Sequence, residues 1–159
     1  MIVKGEEEFM SRRIESFEKQ VEENPTNTFA WFNLNRILRD KGEFNRAVEN
    51  GMHALSLEPY EEDPGTYLML LYDTVYCCRM SGRLDEGEKL CHEGLKNNPE
   101  NLDLLCTLAD IYFKKKRYDD TINIYQEFLK QREIAEKSPN ADAHIVITWS
   151  CQSFVRNNI

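Results

Sequence analysis

Between Trp31 and Pro59 the apolar positions fall into two runs. Trp31, Leu34, Ile37 and Leu38 recur at three- and four-residue spacing, stop at Lys41-Gly42, and resume at Phe44, Ala47, Val48, Ala54, Leu55 and Leu57. Such spacing lays one apolar stripe along each of two helices. The segment WFNLNRILRDKGEFNRAVENGMHALSLEP therefore predicts a helical hairpin broken at a glycine and closed by a proline. The arrangement recurs along the chain. Pro25, Pro59 and Pro99 lie 34 and 40 residues apart, and the excess of the second interval coincides with the polar, turn-forming insert YEEDPG at 60–65. With the insert removed, Gly42 and Gly82 align at the turn between helices, where a left-handed backbone suits glycine. Phe44, Leu84 and Tyr118 align as the large residue opening the second helix; Ala47, Gly87 and Thr121 align where helices must approach closely. Leu55, Leu95 and Leu129 complete the inner stripe, and Ala54 and Gly94 repeat a small position that Phe128 breaks.

The flanks continue the pattern. Residues 5–25 carry Phe9, Ile14, Phe17 and Val21 ahead of Pro25, the back half of such a hairpin. Asp63-Pro64 is a helix cap followed by a first-turn proline, which predicts a longer helix from 64 to about 81. Ser138-Pro139 is a second start signal of that kind, leading into Ile145, Trp149, Phe154 and Val155. Terminal units of a stacked array need a polar outer face, and neither end shows one. The ends are then either caps or cuts through a longer array, and the second reading is favoured.

These residues carry a family resemblance. Trp31, Leu34, Leu38, Gly42, Ala47, Ala54 and Pro59 resemble the tetratricopeptide repeat, with departures at Asn35 and Gly51. Leu71, Gly82, Gly87, Gly94 and Pro99 give a second, weaker unit, with Thr74 where leucine is usual. Leu105, Leu108, Ala109, Tyr112, Tyr118 and Tyr125 give a third, in which Lys116 replaces the turn glycine and no proline closes the unit. The resemblance implies an all-α fold, an α–α superhelix (TPR solenoid) of about three repeats flanked by an extra helix at each end. As one domain over 1–159, it would comprise a leading helix at 5–25, repeats at 27–59, 60–99 and 101–136, and a trailing helix at 139–159.

Composition narrows the function more than it identifies it. A formal charge of −8 and a pI near 5.0 argue against nucleic acid and anionic membrane surfaces, which select basic faces. No apolar run approaches the roughly 20 residues of a membrane span, and MIVKGEEEFMSRR lacks the apolar core of a secretory signal. Five cysteines at irregular spacing, all among apolar residues, predict buried free thiols in a reducing cytoplasm. His53, His92 and His144 assemble with no nucleophile, phosphate loop or metal motif. The chain is expected not to be an enzyme and to use no cofactor and no metal.

The resemblance also implies where a partner would sit, namely in a concave groove lined by the first helix of each hairpin. By register the groove takes Phe29, Phe32, Asn33 and Arg36 from the first hairpin. The second supplies Met69, Tyr72, Asp73, Tyr76 and Arg79, and the third Asp103, Cys106, Asp110 and Lys114. Aromatic and arginine side chains on such a face suit a peptide or protein partner. The carboxylate clamp of tetratricopeptide co-chaperones is not expected, because its places hold Phe32, Arg36, Asp73, Asp103 and Thr107, two of them acids. A second resemblance, carried by RRIESFEKQVEENPTNTFAWFNLNRILRDKGEFNRAVE and GRLDEGEKLCHEGLKNNPENLDLL, is to the repeat regions of bacterial family 2 glycosyltransferases. It implies a non-catalytic region positioning a larger enzyme or its acceptor. Oligomeric state is left open by the sequence.

Overall fold

The computed structural model describes residues 4–57 and 63–137, so the trailing helix expected at 139–159 lies outside the described residues. Among the described residues the structure is seven α-helices: α1 Lys4–Glu23, α2 Thr28–Asp40, α3 Phe44–Leu57, α4 Pro64–Ser81, α5 Leu84–Asn97, α6 Leu102–Lys114 and α7 Tyr118–Glu136. The all-α class read from the periodicity is the class observed. The chain forms two compact units, Met1–Glu86 and Gly87–Ile159.

Local signals place the helix ends. The side chains of Asn27, Asp63 and Asn101 accept the backbone N–H groups of Ala30, Thr66 and Leu104 at 3.1, 3.0 and 3.0 Å, satisfying donors that a helix start leaves open. Pro64 adds a preset backbone at the first turn of α4, which runs for 18 residues against 13 in α2. Three turns end alike. Glu43, Arg83 and Arg117 each donate a backbone N–H, at 2.9 Å, to the carbonyl five residues back, on Leu38, Cys78 and Tyr112. The residue before each is left-handed: Gly42 at φ 82°, Gly82 at φ 77° and Lys116 at φ 60°. Lys116 reaches without glycine the conformation its aligned positions reach with it.

In the first unit α1 packs on α2, and α2, α3 and α4 pack on one another. Leu34, Leu38, Ala47, Val48, Ala54, Leu71 and Val75 fill the space between them and are all but closed to water. A polar knot sits inside. Asn35 is fully buried and donates its side-chain amide to the Ala47 carbonyl at 2.6 Å. Buried Thr74 donates its hydroxyl to Leu70 O at 2.7 Å. Gly51 lies against both, because a Cβ there would meet Thr74 Oγ1 at 2.1 Å and Asn35 Nδ2 at 2.7 Å.

In the second unit α6 and α7 form a hairpin around Leu105, Cys106, Ala109, Tyr125 and Phe128, with Leu95 of α5 packed against them. Glu88 of α5 accepts hydrogen bonds from Lys115 and from Arg117, the latter at 2.7 Å, while its own side chain is only 18% exposed. Burial works against the Glu88 carboxylate, but the bonds from Lys115 and Arg117 outweigh it and hold the carboxyl below its ordinary value. A carboxylate depressed by folding stabilises the protein above its unfolded pKa, and that contribution is lost as pH falls through the folded one. The melting-temperature gap between the native chain and Glu88→Gln should accordingly be present at neutral pH and shrink below about pH 4. Thermal melts across a pH series check this, and a gap that stays constant down to acid would refute it.

The cysteines depart in part from expectation. Cys77, Cys78 and Cys91 are buried thiols, but Cys106 is disulfide-bonded, so the argument from five free thiols to a reducing compartment does not hold in full. Burial pushes the Cys77 thiol up to about 12 and the Cys78 thiol to about 11, which leaves both as packing groups rather than nucleophiles.

Candidate functional site

Within the first unit, α2 and α4 are held side by side by charge. Asp73 of α4 is 19% exposed and accepts a hydrogen bond from Arg39 of α2, while Arg36 Nε lies 3.9 Å from its other oxygen. Burial raises the Asp73 carboxyl, and the two guanidinium groups pull it back only in part. The Arg36 guanidinium rests over the Phe32 ring at 5.5 Å, a cation–π contact. Arg39 also bonds Asp40 at 2.8 Å. Around this ion pair opens a cavity of about 620 Å³, lined by Arg39, Asp40, Lys41, Gly42, Phe44, Tyr72, Asp73 and Tyr76. Its aromatic wall is ordered by an edge-on contact between Phe44 and Tyr76, ring centroids 6.2 Å apart.

Large apolar groups stand exposed on the same two helices. Phe29 is 68% exposed, Met69 53% and Tyr76 42%. Phe29 and Arg36 lie two turns apart on α2, and Met69 and Tyr76 two turns apart on α4, so each pair shares a face. Asn33 is tied back to the Phe29 carbonyl at 2.7 Å, and Arg79 is half-buried one turn beyond Tyr76.

The four expected groove residues of α6 belong to the second unit. Asp103 and Asp110 are half-buried and Lys114 is exposed; burial alone raises the Asp103 carboxyl. Cys106 does not line a surface. It is 6% exposed within the α6–α7 cluster, because its neighbours Leu105 and Ala109 draw that side of α6 into the core.

The tetratricopeptide repeat family matches residues 102–133, which begin with α6 and run through most of α7. A curated relative, TPR repeat-containing protein YpiA of Bacillus subtilis (strain 168), is 23% identical over 127 residues, covering 80% of this chain. Residues 102–133 are thus identified as a tetratricopeptide repeat. The chain spans 28% of the length of YpiA. Solved structures share the repeat fold: a double mutant of MamA RS-1 superposes with a TM-score of 0.68 at 12% identity, over 81% of this chain and 69% of that one. MamA from residue 41 onward, of Desulfovibrio magneticus RS-1, does so at 0.66 and 13% identity, over 84% and 72%. No helix among the described residues is long and apolar enough to cross a membrane.

The cavity also shows what sequence reading passed over. Arg39, Lys41 and Phe44 line the cavity, yet none was among the expected groove residues. Register alone does not pair these charges: the insert makes Arg79 the place equivalent to Arg39, whereas Arg39 meets Asp73, nearly two turns earlier on α4.

Proposed function

We propose that the chain is a protein-interaction module and that the α2–α4 face of its first unit is the docking surface for a peptide or protein segment. The observation that carries this reading is an open cavity between α2 and α4 that joins an aromatic wall, Phe44, Tyr72 and the 42% exposed Tyr76, to the charged groups Arg39 and Asp73. Single exposed apolar residues are ordinary, but an aromatic wall in a concave site with few, convergent polar groups is what a partner's anchor requires. An apolar or aromatic anchor suits the wall of Phe44, Tyr72 and Tyr76, and Arg36 is placed to receive an acidic or carbonyl group beside it. Binding is expected in the micromolar range, about −8 kcal/mol, because an open site leaves part of any ligand wet. The reading of the chain as a glycosyltransferase appendage gains no support from the matched relatives.

The test is a selection of peptides from a displayed random library on the native chain, followed by titration of the selected peptide into variants. Loss of two aromatic anchors worth about 2 kcal/mol each should weaken it on the order of 1000-fold in Tyr72→Ala, Tyr76→Ala. Lys19→Ala, on α1, should leave it unchanged. A folded double variant that binds the peptide as well as the native chain would remove the assignment.

A further inference from the structure

The turn between α6 and α7 is built like the turns after α2 and α4, yet it is charged differently. Residues 40–43 carry a net charge of −1 and residues 80–83 a net +1, whereas the equivalent residues 114–117, Lys-Lys-Lys-Arg, carry +4. Two of these four charges are used within the second unit. Lys115 and Arg117 both donate to Glu88 of α5, and Arg117 also bonds Asp120 at 2.7 Å. The other two are not: Lys114 and Lys116 are exposed and form no ion pair among the described residues.

Lys116 is also where the backbone is strained. It holds φ 60°, in the left-handed region where Gly42 and Gly82 stand at the equivalent turns. A side chain there crowds the following carbonyl, a penalty that glycine escapes. Folding gains nothing from a lysine at this place, and a residue set there at a cost to folding points to a use outside it. An apolar ledge adjoins the charges. Tyr118 is 55% exposed and meets the Phe113 ring edge-on, centroids 5.8 Å apart, while the Arg117 guanidinium lies 4.3 Å over the Tyr112 ring.

We propose that this turn is a second docking point, sharing no residue with the α2–α4 cavity, and that it takes a short Asp- and Glu-rich segment of a partner protein. Lys114 and Lys116 supply charge-assisted hydrogen bonds to the partner's carboxylates, and Tyr118 takes an apolar side chain beside them. A broad polyanion fits less well. Asp119 and Asp120 follow the turn directly, and the whole chain carries −8. A nucleic-acid duplex or an anionic bilayer would press its charges against those acids, whereas a short segment confines its charges to the turn.

The experiment titrates the full chain into a fluorescein-labelled glutamate-rich peptide carrying one leucine, read by anisotropy, beside the same peptide with glutamine for glutamate. The acidic peptide should bind more tightly, and the difference should shrink as salt rises. Lys114→Gln combined with Lys116→Gly should weaken it on the order of 10-fold. Lys96→Gln, at an exposed lysine of α5, should not. Lys116→Gly alone separates use from folding: its melting temperature should rise by a few degrees while its affinity for the peptide falls. Lys116→Gln, which keeps a side chain at the strained position, should repeat the loss of binding without the gain in melting temperature. Equal binding of the acidic and neutral peptides, or unchanged affinity in the folded double variant, would overturn the proposal. A Lys116→Gly chain that melts below the native one would do the same, because the lysine would then serve the fold. So would single-stranded RNA or phosphatidylserine vesicles that bind more tightly than the peptide at the same salt and lose that binding with the same substitutions.

Discussion

Gly51→Val should unfold the first unit at a temperature roughly 15 °C below the native chain. The Cβ alone would stand 2.1 Å from Thr74 Oγ1 and 2.9 Å from Thr74 Cγ2, with Asn35 Nδ2 at 2.7 Å. None of these neighbours is the free end of a long side chain. Asn35 is held by the Ala47 carbonyl and Thr74 by Leu70 O, and both are buried. Helices α3 and α4 must separate or the polar knot must break, and overpacking of this kind costs about 3 kcal/mol at its upper range. For a unit of this size each kcal/mol moves the midpoint by about 4–8 °C. Gly51→Ala should show the same effect reduced, since a better helix former returns about 1 kcal/mol, and adding Thr74→Ala should recover part of the rest. The measurement is a circular-dichroism melt of all three. A Gly51→Val melt within about two degrees of native would mean that the helices do not approach as described.

Leu108→Ala should do comparable damage in the second unit. Leu108 is fully buried on α6, beside neighbours anchored at both ends by the Asn101 cap and the Lys116 turn. Removing three carbons there forfeits their transfer free energy and leaves a void that the fixed helix ends resist closing. The expected loss is about 2–5 kcal/mol, read from urea titration. Ile122→Ala, at a position 54% exposed, serves as the comparison on the same hairpin. Equal urea midpoints for native and Leu108→Ala would contradict the packing.

Much of the fold was legible because two local rules act without knowledge of the rest. The 3.6-residue apolar stripe and its break at Lys41-Gly42 gave the α2–α3 hairpin, and the Asp63-Pro64 start signal gave α4 from 64 to about 81. What escaped was contact between places far apart in sequence. Asn35, Gly51 and Thr74 read as three separate departures from the family pattern, yet they touch one another: a polar pair brought between helices requires the residue facing it to have no side chain. Cys106 was read as surface because register alone assigns it to the first-helix face, whereas burial is decided by Tyr125 and Phe128 across the hairpin. The cavity was half legible for the same reason. Tyr72 and Tyr76 follow from periodicity, but Arg39, Lys41 and Phe44 enter only once α2 and α4 lie side by side.

The Asp73–Arg39 pair joins helices from two successive repeats, so the cavity above it exists only while both are folded together. A molecule that settles there prefers the native chain to the unfolded one and must raise the unfolding temperature in proportion to the logarithm of its concentration. Heat resistance is thus a readout of occupancy, and a compound or peptide collection can be sorted by it before the natural ligand has been isolated.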